Sequence, residues 1–160
     1  MKKATSVPPI TSAVLCRDSA AVVAAIAAGA RIDEVDGEGR TALHHAVIEK
    51  DEGLVRLLFA AQADVNARDS HSWTPLHFAA SEHAVEMVNA LLGLGALVDL
   101  EDDQGNTPLW RAVFQSRGRG QVIQALRSGG ANPEHRNKHG ISPRQLAETI
   151  ANHDVMQWMR

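Results

Sequence analysis

Tyrosine is missing from this chain, and cysteine occurs once, at Cys16. A lone cysteine permits no intramolecular disulfide, so nothing here points to an oxidising compartment. Aromatics make up only 4% of the 160 residues, which leaves alanine and leucine to fill a core and favours closely packed helices. No apolar run approaches the roughly 18 residues of a membrane-spanning helix. "MKK" is a basic start, but Pro8 and Pro9 follow it, and "ITSAVL" is too short for a signal-peptide core. "AVLC" also fails as a lipoprotein site, because Leu15 stands where a small residue must precede the cysteine. A cytoplasmic location is expected.

Strong charge of one sign is lacking too. The net charge is -3, which marks the whole chain as no obvious binder of nucleic acid or membrane. The balance is uneven, however: residues 1–110 hold 8 Lys/Arg against 16 Asp/Glu, and residues 111–160 hold 8 against 3. Such a dipolar chain can steer and orient a charged partner, although a solvated surface segregates charge by accident as well.

What the chain does have is a period. "RTALHHAV", "SWTPLHFAA", "NTPLWRAV" and "ISPRQLA" recur with Thr41, Thr74, Thr107 and Ser142 spaced by 33, 33 and 35 residues. Each copy follows an Asp- or Asn-headed turn: "DGEG", "DSHS", "DDQG" and "NKHG". Gly39 and Gly105 supply the positive φ of a tight turn. Thr41, Thr74 and Thr107 cap a helix, and Pro75 and Pro108 sit at its first position, where a missing N–H costs nothing. A second helix follows, with apolar residues at Leu54, Leu57, Leu58; Val85, Val88, Leu92; and Val122, Ile123, Leu126. Gly29, Gly95 and Gly130 end these second helices in the left-handed region, and Gln62 stands at the equivalent place in the second unit. Helices are expected at 41–49 and 52–61, 74–81 and 84–93, and 107–115 and 119–128. Neither helix of a pair can bury its apolar side alone, so the units must stack.

The pattern resembles ankyrin repeats, with their D-x-x-G-x-T-P-L-H-x-A-A turn and helix start. The resemblance implies an all-α solenoid of helix-turn-helix units joined by short β-hairpin turns. About five repeats are expected, at 12–35, 36–68, 69–101, 102–136 and 137–160, the outer two acting as caps, after a tail at 1–11. The sequence departs from the family pattern at Ser72, Gln62, Trp110 and Arg144, and by a two-residue insertion in "FQSRGRGQ".

The eight histidines invite a metal reading, but in this family the histidine at His44 and His77 is structural and bonds to the neighbouring turn. His135 and His139 lie in a loop with no cysteine or carboxylate cluster to complete a tetrahedral site. "DLEDDQGN" fails as a calcium loop at its sixth and twelfth positions, Gln104 and Trp110. Cys16 reads as a small buried core residue rather than a nucleophile. No cofactor, metal site or catalytic constellation is expected, so the chain reads as non-enzymatic.

Ankyrin proteins grip partners with hairpin tips and the concave face of the first helices. By that frame the candidate partner-binding residues are Glu38, Arg40, Ile48, Glu49, His71, Trp73, Glu82, Asp103, Asn106, Phe114 and His139. Trp73 reads either as an exposed anchor or as a ring lying over its neighbouring hairpin. The expected function is protein–protein recognition by an adaptor or inhibitor, monomeric when free, against a partner with a basic patch. A bacterial immunity protein that neutralises a toxin is its specific form. The alternative is nucleic-acid or anionic-ligand binding through the basic C-terminal third, where "SRGRGQ" brings Arg117 and Arg119 to a helix start.

Overall fold

The computed structural model describes residues 9–150 and 153–159. Its helices come in pairs: α1 (Ile10–Leu15) with α2 (Ser19–Ala27), α3 (Ala42–Ile48) with α4 (Glu52–Ala60), and α5 (Pro75–Ser81) with α6 (Val85–Gly93). α7 (Pro108–Phe114) pairs with α8 (Gln121–Ser128), and α9 (Pro143–Thr149) with α10 (His153–Met156), which a 3-10 turn at Gln157–Met159 extends. The first helices stack as one layer, α1 on α3, α3 on α5, α5 on α7 and α7 on α9, while α4, α6 and α8 form a second layer behind them.

The period explains the stacking. Leu43, Leu76 and Leu109 occupy one position of successive units, and each is at most 1% exposed. Leu54 and Leu58, Val88 and Leu91, and Val122, Ile123 and Leu126 supply the apolar face of the second layer and are fully buried. Burying each such side chain contributes about 1.5–3 kcal/mol. Every unit thus depends on its neighbours for its core.

The joining turns are all built alike. In the second unit, Asp36 N–H donates to Arg40 C=O and Gly39 N–H to Asp36 C=O, both at 3.0 Å, while Asp36 Oδ1 accepts from Glu38 N–H and Arg40 N–H. Asp69, Asp102 and Asn137 repeat this arrangement. Among the described residues these hairpins are too short to form strands. Single backbone bonds link tip to tip: Ser70 N–H to Glu38 C=O, Asp103 N–H to His71 C=O and Lys138 N–H to Gln104 C=O, each at 3.0 Å.

Some expectations move. The expected tail at 1–11 falls on residues 1–8, outside the described residues, and on its last three. α1 begins at Ile10, ahead of the expected start at 12, because Ile10 is fully buried against the core. α8 begins at Gln121 rather than 119, because Arg117 (φ 45°) and Gly118 (φ 85°) hold the inserted loop in a left-handed turn. Cys16 is exposed, not buried, because it caps the C-terminal end of α1 as the chain turns away from the core.

Gln62 does occupy the left-handed position, with φ 69° beside Gly95 at 88° and Gly130 at 94°. A side chain there costs about 1 kcal/mol relative to glycine. Gln62→Gly is therefore expected to stabilise the fold by about 1 kcal/mol and to raise the melting temperature. A lowered melting temperature would contradict the strain.

Candidate functional site

The hairpin side of the stack carries the charged and aromatic groups. Its organisation starts with the aspartates that head the turns of the second, third and fourth units, Asp36, Asp69 and Asp102. One carboxylate oxygen is consumed by the turn itself, and the other faces the residue nine positions on. In the second unit that residue is His45, whose Nε2 lies 2.7 Å from Asp36 Oδ2. In the fourth it is Arg111, which donates through both Nε (2.9 Å) and a terminal nitrogen to Asp102 Oδ2. In the third it is Phe78, which cannot donate. Asp69 Oδ2 is left with Arg40 Nε at 3.9 Å, beyond hydrogen-bonding range.

Around that oxygen lies a pocket of about 340 Å³, lined by Arg40, Asp69, His71, Trp73, Phe78, Asp103 and Arg111. The Trp73 and Phe78 rings meet at 5.0 Å. Arg111 lies over Trp73 at 4.5 Å, and Arg40 over Phe78 at 5.1 Å. Each guanidinium thus stacks on an aromatic ring while pairing with a carboxylate, Arg111 with Asp102 and Arg40 with Glu38 at 2.6 Å.

The sequence-nominated residues divide over this surface. Arg40, His71, Trp73 and Asp103 converge on the pocket, with Glu38 beside Arg40. Glu82 lines a second, polar pocket with Lys50, Ser81, Gln115, Arg117 and Arg119. Phe114 is 53% exposed and stacks on Trp110 at 5.3 Å. Glu49 pairs with Arg17 at 2.5 Å. Ile48 is half-buried, and His139 is exposed at the last hairpin; neither lines these two pockets.

Two nominations are corrected. Asn106 is only 4% exposed, because its amide is spent on Asp102 and on Asn137 Nδ2 (2.8 Å), so it is a structural bridge. Trp73 is half-buried, with Arg111 of α7 over its ring, rather than open. Asp69, Phe78 and Arg111 were not nominated. The signal for them was the nine-residue offset from each turn aspartate, which shows His45 and Arg111 as partners and Phe78 as the exception.

His44 and His77 are structural, as expected. Thr41 and Thr74 N–H donate to their Nδ1 atoms at 3.1 Å, which leaves that nitrogen unprotonated. Nε2–H then donates to the next hairpin, to Trp73 C=O at 3.1 Å and Asn106 C=O at 3.0 Å. Burial lowers both imidazoles below their ordinary pKa, His77 to about 4. Among the described residues, no group of three or more His, Cys, Asp or Glu is placed to hold a metal ion, and no helix is long and apolar enough to cross a membrane.

No curated protein matches the chain at a significant level. A family model described as ankyrin repeats (3 copies) matches residues 10–102 and 70–137. Those matches span most of the stack: the chain belongs to the ankyrin repeat family.

Proposed function

We propose that this chain is a non-enzymatic interaction protein that holds a basic partner protein against its hairpin tips and first-layer helices. Ankyrin repeats generally mediate protein–protein interaction and are typically not catalytic. The observation that carries the reading is Phe114, 53% exposed on α7 and stacked on Trp110, on a chain whose first 110 residues are acidic. An exposed apolar group on an acidic protein suits an anchored, electrostatically steered contact. In its specific form the partner is a toxin whose basic face is covered, and the chain is its immunity protein.

The test is binding kinetics with the captured partner. Phe114→Ala is expected to weaken binding by about 2 kcal/mol, mainly through faster dissociation, with melting unchanged. Glu82→Lys is expected to slow association and flatten its salt dependence. Unchanged kinetics in both variants would remove the site from this face.

A second reading, anion or nucleic-acid binding, draws on Lys50, Arg117 and Arg119, which share a polar pocket of about 350 Å³. Binding of RNA or DNA that weakens steeply with salt would favour it.

A further inference from the structure

We infer that the pocket at Asp69 is a socket for a basic side chain of the partner, an arginine, which completes the ion pair that the third repeat leaves open. The inference rests on the protein-binding reading above and names the chemistry of one contact within it.

The repeat itself supplies the comparison. Three turn aspartates stand in equivalent places, and two have a nitrogen on their outer oxygen, from His45 at 2.7 Å and Arg111 Nε at 2.9 Å. The third, Asp69, has a side chain only 3% exposed and no hydrogen bond to its Oδ2. Asp69 lines the pocket, so its outer oxygen has room to take a donor, and the neighbouring units show which chemistry fills that place. Phe78 occupies the donor's place, and its ring forms a wall of the pocket instead.

Charge points the same way. The two arginines at the pocket are already matched by Glu38 and Asp102. Asp69 and Asp103 are the further carboxylates here, with the Lys138 ammonium on Asp103 C=O at 2.7 Å, so four carboxylates stand against three cations and the pocket with its neighbours carries an excess of one negative charge. The surrounding chain up to residue 110 is acidic as well. An incoming cation is therefore favoured and an anion is not. Guanidinium suits the site better than ammonium, because it is planar, stacks on aromatic rings as Arg40 and Arg111 already do here, and offers several donors to Asp69 and Asp103.

Arg40 does not fill the role. It is drawn to Glu38, stays 3.9 Å from Asp69, and its own buried Nε has no hydrogen-bond partner.

The test needs no identified partner. Acetyl-Ser-Arg-Ser-amide is titrated into the full chain at low salt, with the citrulline tripeptide, neutral and nearly isosteric, as the control. Binding is read from the Trp73 indole and the 69–78 backbone amides in proton–nitrogen correlation spectra. The arginine peptide is expected to give saturable shifts, and citrulline at least about ten-fold weaker ones. Asp69→Asn is expected to lose at least about ten-fold, while its turn survives because Asn137 builds the same turn in the last unit. Phe78→Arg, which installs the arginine that the fourth unit has at Arg111, is expected to fill the socket from within and abolish binding. Should that variant not fold, Asp69→Asn carries the test alone. Equal binding of citrulline, unchanged binding by Asp69→Asn, or no saturable shift overturns the inference. The failure is separable from that of the binding face: a partner that still responds to Phe114→Ala keeps the face and loses only the socket.

Discussion

Lowering the pH from 7 to 5 is expected to destabilise the protein by about 2 kcal/mol through His77 alone. The ring is buried and neutral in the fold, with its pKa lowered to about 4. The unfolded chain takes up a proton on the same ring below about pH 6.5. Below that pH the unfolded state binds more protons than the folded one, so stability is full above it and falls until pH reaches the folded pKa. Burial lowers His44 and His83 too, and both add in the same direction. Asp36 and Asp102 are held below their usual pKa of 3.8, the backbone bonds of their turns and their His45 and Arg111 partners outweighing burial; their contribution is lost only in stronger acid. The check is the urea midpoint at pH 7 and pH 5 for wild type and His77→Gln. Gln145 stands at the same repeat position in the last unit and accepts from Ser142 N–H at 3.1 Å, so glutamine can keep the cap without titrating. A wild-type midpoint that does not move, or an equal loss in the variant, would contradict the lowered pKa of His77 in the fold.

Gly105→Ala is expected to cost about 3 kcal/mol. Its φ of 77° imposes about 1 kcal/mol on any side chain. The larger part comes from the next unit: a Cβ at Gly105 would lie 2.8 Å from Lys138 N and 3.3 Å from Asn137 C, both backbone atoms that cannot swing aside. The hairpins must part, which strains the Lys138 N–H to Gln104 C=O bond at 3.0 Å. Gly140 is the internal control, with the same φ of 77° and nothing within 4 Å of its Cβ. Gly140→Ala should lose only the conformational part. Chemical denaturation of the two variants separates the terms, and equal losses would mean that close approach of the hairpins contributes nothing.

The fold was legible because its determinants are local and repeated. Thr41, Thr74, Thr107 and Ser142 mark each helix start, and the helix expectations hold within two residues. The candidate site was less legible. Exposure of Trp73 could not be read from its own unit, since the group that covers it, Arg111, comes from the next unit and is fixed there by Asp102. Asn106 looks like an exposed hairpin residue until Asn137 is brought against it. Both cases arise where one repeat supplies the environment of another, information that lies a full period away along the chain.

The bridging histidines are unevenly distributed. His44 joins the second unit to the third and His77 the third to the fourth, whereas Trp110 interrupts the series and the Asn106–Asn137 amide pair spans the last junction. Amides do not titrate. Heat attacks a linear array at its ends, where each terminal unit has a single neighbour. Acid attacks this one elsewhere, at the two interior seams whose imidazoles take up protons. The order of failure is therefore set by the denaturant: warming frays the molecule inward, and acidification splits it from the middle.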